Sequence, residues 1–185
     1  NYLNTHNDVG IIGAKVLHAN GKYQVSSKRS FPYIYLGLIR LLFLDKLFYF
    51  NEFFGKYNYS YINNDTLLEV DSISGACMMF DKSLTERIGF FDERFFLYFE
   101  DTDFCYRARI NNYKVIYNPH VEIIHIKRQS FKNSNYSANY EFYKSLYCFY
   151  IKYYDDYRNF AFTKALVKVI LKLLICFFGV FNRKK

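Results

Sequence analysis

The stretch VGIIGAKVL at positions 9–17 holds a single charge, Lys15, among small and branched apolar side chains. So short an apolar run reads as a buried strand, and a buried strand has to be covered by other elements. The sequence supplies them in alternation. Asn20-Gly21 is a tight-turn signal before a second extended piece. From Phe31 to Phe54 the chain is apolar and aromatic, broken by Arg40, Asp45, Lys46 and Glu52. Its apolar pieces are too short to span a bilayer, so helices against a core or a membrane surface are expected. NYSYINNDT (58–66) is loop-like, and SGACMMF (74–80) reads as a central strand introduced by a glycine. Asp81 is placed to cap a short helix, KSLTERI, which Gly89 stops. Residues 102–110 suit a helix with Phe104, Cys105 and Ala108 inward and Arg107 and Arg109 outward, ended by Asn111-Asn112. YKVIYNP reads as a strand closed by Pro119, and VEIIHI (121–126) as a further extended run with Val121, Ile123 and His125 on one face. Strands alternating with helices predict an α/β layered domain.

The 185 residues suffice for one domain with a sizeable core. The first residue is Asn1, with no charged, apolar and cleavable leader after it, so the start of the protein is expected to lie upstream. Cys77, Cys105, Cys148 and Cys176 are far apart and form no CxxC pair, which speaks against a zinc knuckle and fits reduced thiols. Residues 1–106 carry 10 basic and 13 acidic side chains, whereas residues 107–185 carry 15 basic and 4 acidic ones. A basic, aromatic-rich half raises nucleic acid as a partner, but no RNP-like, helix-turn-helix or finger motif accompanies it, and that class is set aside.

The tail from residue 133 reads as helical. NYEFYKSLYCFYIKYY (139–154) is aromatic throughout, and residues 163–185 place Lys164, Lys168 and Lys172 at i, i+4 spacing on an otherwise apolar helix. Three lysines on one stripe argue against a span. They favour a helix lying on an anionic membrane surface, with Arg183, Lys184 and Lys185 near headgroups. The alternative is a terminal helix docked on the protein's own core.

Two places carry candidate chemistry. In RFFLYFEDTDFCYRARI (94–110), Glu100, Asp101 and Asp103 stand behind Phe95, Phe96, Leu97, Tyr98 and Phe99. Asp101 can be an N-cap and Asp103 a first-turn carboxylate, both favoured by the helix dipole. A carboxylate at a rigid strand end and helix start can equally serve as a general base. His125 is the second place. It can be a structural imidazole on a strand face, or a ligand for a divalent ion, with Lys127, Arg128, Gln129 and Ser130 following as donors that offset phosphate charge.

The order VGIIGAKVLHANGK, then VDSISGACMMFDKSLTERIGFFDERFFLYFEDTDFCYRARINNYKVIYNPHVEIIHIKRQS, resembles the C-terminal half of the catalytic domain of family 2 glycosyltransferases. The likeness is to rhamnosyltransferase-type members of bacterial surface-polysaccharide synthesis, and it covers roughly residues 8–130. It implies a partial GT-A fold (Rossmann-like, of the nucleotide-diphospho-sugar transferase type) over residues 1–132, with C-terminal helices over 133–185. It implies inverting transfer from a nucleotide-sugar donor to a lipid-linked or polysaccharide acceptor, with Asp101 as base and Glu100 beside it. Gly75, Ala76 and Cys77 would line the sugar and acceptor cleft, with Asp103, Lys127 and Arg128 as further substrate contacts. The aromatic wall would stack on sugar rings. His125 would help bind a divalent cation, Mg2+ or Mn2+, or the diphosphate. The DxD ligands of that cation, and most of the donor-binding half, are expected upstream of this chain. The resulting expectation is a peripheral enzyme on the cytoplasmic face of the membrane. Its rivals are a truncated, non-catalytic membrane-associated module and a metal-dependent hydrolase built on Asp101 and His125, the latter disfavoured by the lack of HExxH.

Overall fold

A computed structural model describes residues 2–126, 137–153 and 161–182. The chain divides into two compact units, Asn1–Phe91 with Asp101–Lys127, and Asp92–Glu100 with Arg128–Lys185. Residues 92–100 thus go with the tail, and the division falls at 127/128.

The first unit begins with a short helix α1 (Tyr2–Thr5) and the strand β1 (Val9–Leu17). After the Asn20-Gly21 turn, where Gly21 takes φ +76°, comes the short β2 (Lys28–Arg29). Three small helices follow, α2 (Ile34–Leu41), α3 (Leu44–Leu47) and α4 (Glu52–Gly55), then β3 (Leu68–Glu69), β4 (Ser72–Ile73) and β5 (Met78–Phe80). Helix α5 (Lys82–Ile88) is capped by the Asp81 side chain, which accepts from the Ser83 N–H, and stopped at Gly89 with φ +77°. Helix α6 (Glu100–Ile110) and strand β6 (Lys114–Ile124) complete the unit, Asn112 turning the chain at φ +64°. The mixed α/β class is the expected one.

The main sheet has the order β3-β6-β1-β5. β1 and β6 run parallel at its centre, and β3 and β5 are antiparallel edges. Ile11, Ala14, Val16, Val115, Ile116 and Tyr117 are buried on the two central strands. Phe104 of α6 meets Phe80 and Phe91 at ring distances of 4.7 and 4.9 Å. Gly13 is small for a reason, since a Cβ there would lie 2.3 Å from Ile73 Cδ1. β2 and β4 form a separate two-stranded ribbon, Lys28 opposite Ile73 and Arg29 opposite Ser72.

Two strand readings change. SGACMMF is not central: only Met78–Phe80 pair, at an edge, and Ser74–Cys77 form the turn leading in. Pro119 does not close a strand either. β6 continues through it because Asn118 pairs with Ala14 and Glu122 with Lys15, so three residues bulge out of the ladder. A bulge is where proline's missing N–H costs no ladder bond.

In the second unit, α7 (Ala138–Lys152) and α8 (Ala161–Asn182) pack together through Leu171 and a stacked Tyr143–Phe178 pair at 5.4 Å. Residues 92–100 join them. Phe99 packs on Phe142 and Phe149 at 5.4 and 5.8 Å, and Ser145 Oγ donates to the Leu97 carbonyl at 2.7 Å. Asp92 accepts from Arg94 and Lys152, whose hydrogen bonds hold its carboxyl below the usual carboxylate range. The aromatic wall is therefore split. Phe95 and Phe99 are core, and Phe96 and Tyr98 are left exposed.

Candidate functional site

The C-terminal ends of the parallel pair β1 and β6 lie at one edge of the sheet, the edge where ligands bind in open α/β sheets. The segment after β1 folds across that edge. Gln24 N–H donates to the Val16 carbonyl, the Ser27 hydroxyl bonds Val16, and Ser74 N–H donates to the Ser27 carbonyl. These bonds bring the β2–β4 ribbon and the Ser74–Cys77 turn beside the first turn of α6.

Asp101 sits there. The chain reaches it through Tyr98 and Phe99, which hold φ of +64° and +67°. For bulky side chains this conformation costs roughly 1–2 kcal/mol per residue, and such strain concentrates at functional sites. Asp101 is 8 % exposed. Its Oδ2 accepts from Arg29 Nη2 at 2.7 Å and from the Gly75 N–H at 3.0 Å. Its Oδ1 accepts from the Thr102 N–H at 2.7 Å and the Thr102 hydroxyl at 3.2 Å. A carboxylate has about four acceptor positions, and all are in use. Taking a hydrogen bond from an incoming hydroxyl therefore means displacing a present donor, and the Thr102 hydroxyl is the longest of the four.

Arg29 is the residue that sequence reasoning missed. Its Nη2 also donates to the Ile73 carbonyl at 3.1 Å, tying α6 to the ribbon. Burial opposes its charge, and the Asp101 carboxylate together with Tyr57 and Cys105 more than offsets this, so the guanidinium is held above its ordinary pKa. Arg29 stands 72 positions from Asp101, in an extended piece with no motif of its own.

The other expected residues fall as follows. Gly75 and Ala76 are exposed and Cys77 is half-buried. A Cβ on Gly75 would come 3.3 Å from Asp101 Cβ, so this turn is pressed against the carboxylate. Glu100 is half-buried at the start of α6. Asp103 is a correction: it has no exposure and is ion-paired with Arg107 Nε at 2.9 Å, which removes it from substrate contact. Arg107, expected outward, turns its guanidinium onto the carbonyls of Ile88, Gly89 and Phe90 behind α5. Cys105 beneath the site is fully buried, and burial pushes its thiol up to about 12, so it is no nucleophile.

His125 follows β6 at the same sheet edge. Its N–H donates to the Leu17 carbonyl at 2.8 Å, and its carbonyl accepts from Gln24 Nε2 at 2.6 Å. Its Nδ1 is buried without a hydrogen-bond partner among the described residues. Among the described residues no group of three or more His, Cys, Asp or Glu side chains is placed to hold a metal. One imidazole does not make a cation site, so other ligands would have to complete it. Lys127 and Arg128 lie outside the described residues.

A family profile described as "Glycosyltransferase like family 2" matches residues 1–138. The low-salt glycan biosynthesis hexosyltransferase Agl10 of Haloferax volcanii is 38 % identical over 77 residues, 42 % of this chain and 24 % of that protein. An N-acetylglucosaminyl-diphospho-decaprenol L-rhamnosyltransferase of Mycobacterium tuberculosis is 34 % identical over 77 residues, 42 % of this chain and 25 % of its own length. The matched segment thus spans about a quarter of each of these relatives. No solved structure matches the chain.

Proposed function

Since this chain belongs to the glycosyltransferase-like family 2, we propose that it forms the acceptor-side part of an inverting hexosyltransferase with Asp101 as its general base. The supporting observation is the Asp101 carboxylate, fixed by Arg29 and Gly75 at the sheet edge where ligands gather. The donor is a nucleotide sugar, with rhamnose favoured by the relative named for it. The acceptor is a saccharide on a polyprenyl lipid or a growing surface polysaccharide, as the decaprenol in that relative's name favours.

In this reaction an acceptor hydroxyl displaces the Thr102 hydroxyl from Asp101 Oδ1 and donates its own hydrogen bond there. Its oxygen attacks the anomeric carbon from the face opposite the nucleoside diphosphate. The new C–O bond forms as the bond to the diphosphate breaks, and the proton ends on Asp101. The exposed Gly75-Ala76 turn borders the acceptor. The divalent cation implied by the family would draw one nitrogen from His125 and help neutralise the diphosphate, with its remaining ligands outside this set.

The protein works as a peripheral enzyme on the inner face of the membrane. Among the described residues no helix is long and apolar enough to cross a membrane. On α8, however, Val169, Ile170, Leu173 and Phe177 are exposed side by side on the turn opposite buried Leu171. Such an apolar stripe on a helix bearing lysines suits an anionic lipid surface.

The test is Asp101→Asn in the full-length enzyme. Transfer should fall by about 10²–10⁴-fold while donor binding and folding persist. Turnover within a few-fold of the parent would overturn the base and leave Asp101 a structural anchor.

A further inference from the structure

A carboxylate that acts as a base has to be held ionised and aimed, and the groups that hold it are set by the fold around it. Asp101 has two partners beyond its own helix, the Gly75 N–H and Arg29. Gly75 supplies a neutral backbone donor. Arg29 supplies charge, and its side chain is only 18 % exposed against 11 % for Asp101. Burying such a pair costs desolvation that its mutual attraction barely returns, so it is poor evidence for stability alone. Two further observations separate Arg29 from an ordinary structural arginine. Its Nε is buried with no hydrogen-bond partner among the described residues, so the fork is not saturated as structural guanidinium groups generally are. Its Nη2 divides between Asp101 and the Ile73 carbonyl, joining the base to a ribbon whose strands are two residues each.

We infer that Arg29 is the positioning residue of the transfer reaction, fixing Asp101 Oδ2 so that the other oxygen is aimed at the acceptor hydroxyl. This rests on the reading of Asp101 as the base. Arg29 touches neither donor nor acceptor in this role. It acts through the carboxylate. The bidentate-capable fork matters because Lys would give charge without a fixed direction. Misplacing a reacting group by about 1 Å costs on the order of 100-fold in rate.

The experiment is steady-state kinetics of the full-length enzyme with Arg29→Lys, Arg29→Gln, Asp101→Asn and the Arg29→Gln/Asp101→Asn pair, each checked by thermal unfolding. Arg29→Gln should lower kcat by about 100-fold with donor and acceptor KM within a few-fold of the parent. Arg29→Lys should recover about 10-fold of that loss, charge without the fork. In the Asp101→Asn background, Arg29→Gln should cost nothing more, because its effect passes through the missing carboxylate. Unchanged kcat in folded Arg29→Gln or Arg29→Lys overturns the inference while the Asp101 reading stands. A full additional loss in the double variant overturns it too. If Asp101→Asn is itself fully active, the base reading fails first. Where Arg29→Gln does not fold, Arg29→Lys decides alone: a kcat equal to the parent's refutes the positioning role.

Discussion

Lys28, next to Arg29 on the ribbon, shows how differently two adjacent cations are treated. Its side chain has no exposure, and its Nζ reaches the carbonyls of Ile62 and Asn63 only at 3.5 and 3.4 Å, over the Tyr117 ring at 5.0 Å. Burial lowers its pKa from 10.5 to about 8, with Asp65 pulling the other way. In the unfolded chain the lysine keeps its ordinary value, so between about pH 8 and 10.5 the unfolded state binds more protons. Its contribution is therefore a penalty, complete below about pH 8 and relieved as pH rises to 10.5. Lys28→Met should be more stable than the parent by about 2–4 kcal/mol at pH 7, and the gap should close toward pH 10 in urea melts. A gap that stays constant with pH would show that the ammonium is not the cause. Tyr33 and Tyr59, whose pKa values burial raises, cost stability above about pH 10 in both proteins and cancel in the difference.

At the scale of elements, the site depends on how closely β1 lets the ribbon approach. Ile73 of β4 leans into the space above Gly13, its Cδ1 and Cβ at 2.3 and 3.0 Å from where a Cβ would be. Gly13→Ala should cost about 1–3 kcal/mol by overpacking, and Ile73→Val should recover part of it by removing the clashing methyl. Chemical denaturation of the single and paired variants reads this directly. Because Arg29 bonds the Ile73 carbonyl, the same change should also weaken transfer. The buried ion pair inside α6 is a second test. Asp103→Ala leaves Arg107 buried with only the loop carbonyls behind α5, which should destabilise by about 3–5 kcal/mol. Asp103→Ala should fall on stability and leave the kcat of the folded fraction near the parent's, unlike Asp101→Asn.

For the molecule as a whole, the lysines and the apolar face of α8 should act together at a membrane. Insertion of Lys168 and Lys172 into the bilayer centre would cost roughly 2.5–3.5 kcal/mol each, whereas near anionic headgroups each gains on the order of 1 kcal/mol. Flotation with liposomes should require anionic lipid and weaken in high salt. Leu173→Asp with Val169→Asp should abolish it, because both residues lie on the exposed stripe. Binding that survives both salt and the double substitution would remove α8 as the attachment.

Local signals sufficed where a structure is decided within a few residues. VGIIGAKVL, the Asn20-Gly21 turn, and the Asp81 and Gly89 ends of α5 all emerge as read, since strand burial, positive φ and capping are properties of short segments. The acid cluster and the late histidine stand out as candidates, because the family pattern runs along the chain. What the sequence could not assign was partnership. Asp101 and Asp103 are two positions apart and chemically alike, yet one faces Arg29 from a distant ribbon and the other Arg107 one helical turn away. Pro119 reads as a stop until β1 is present to carry the ladder past its bulge, and the aromatic wall reads as one surface until α7 takes Phe99 from it. Local backbone preferences reach a few residues, whereas these outcomes depend on which distant groups packing brings within hydrogen-bond or van der Waals range. Only the tertiary structure makes that choice.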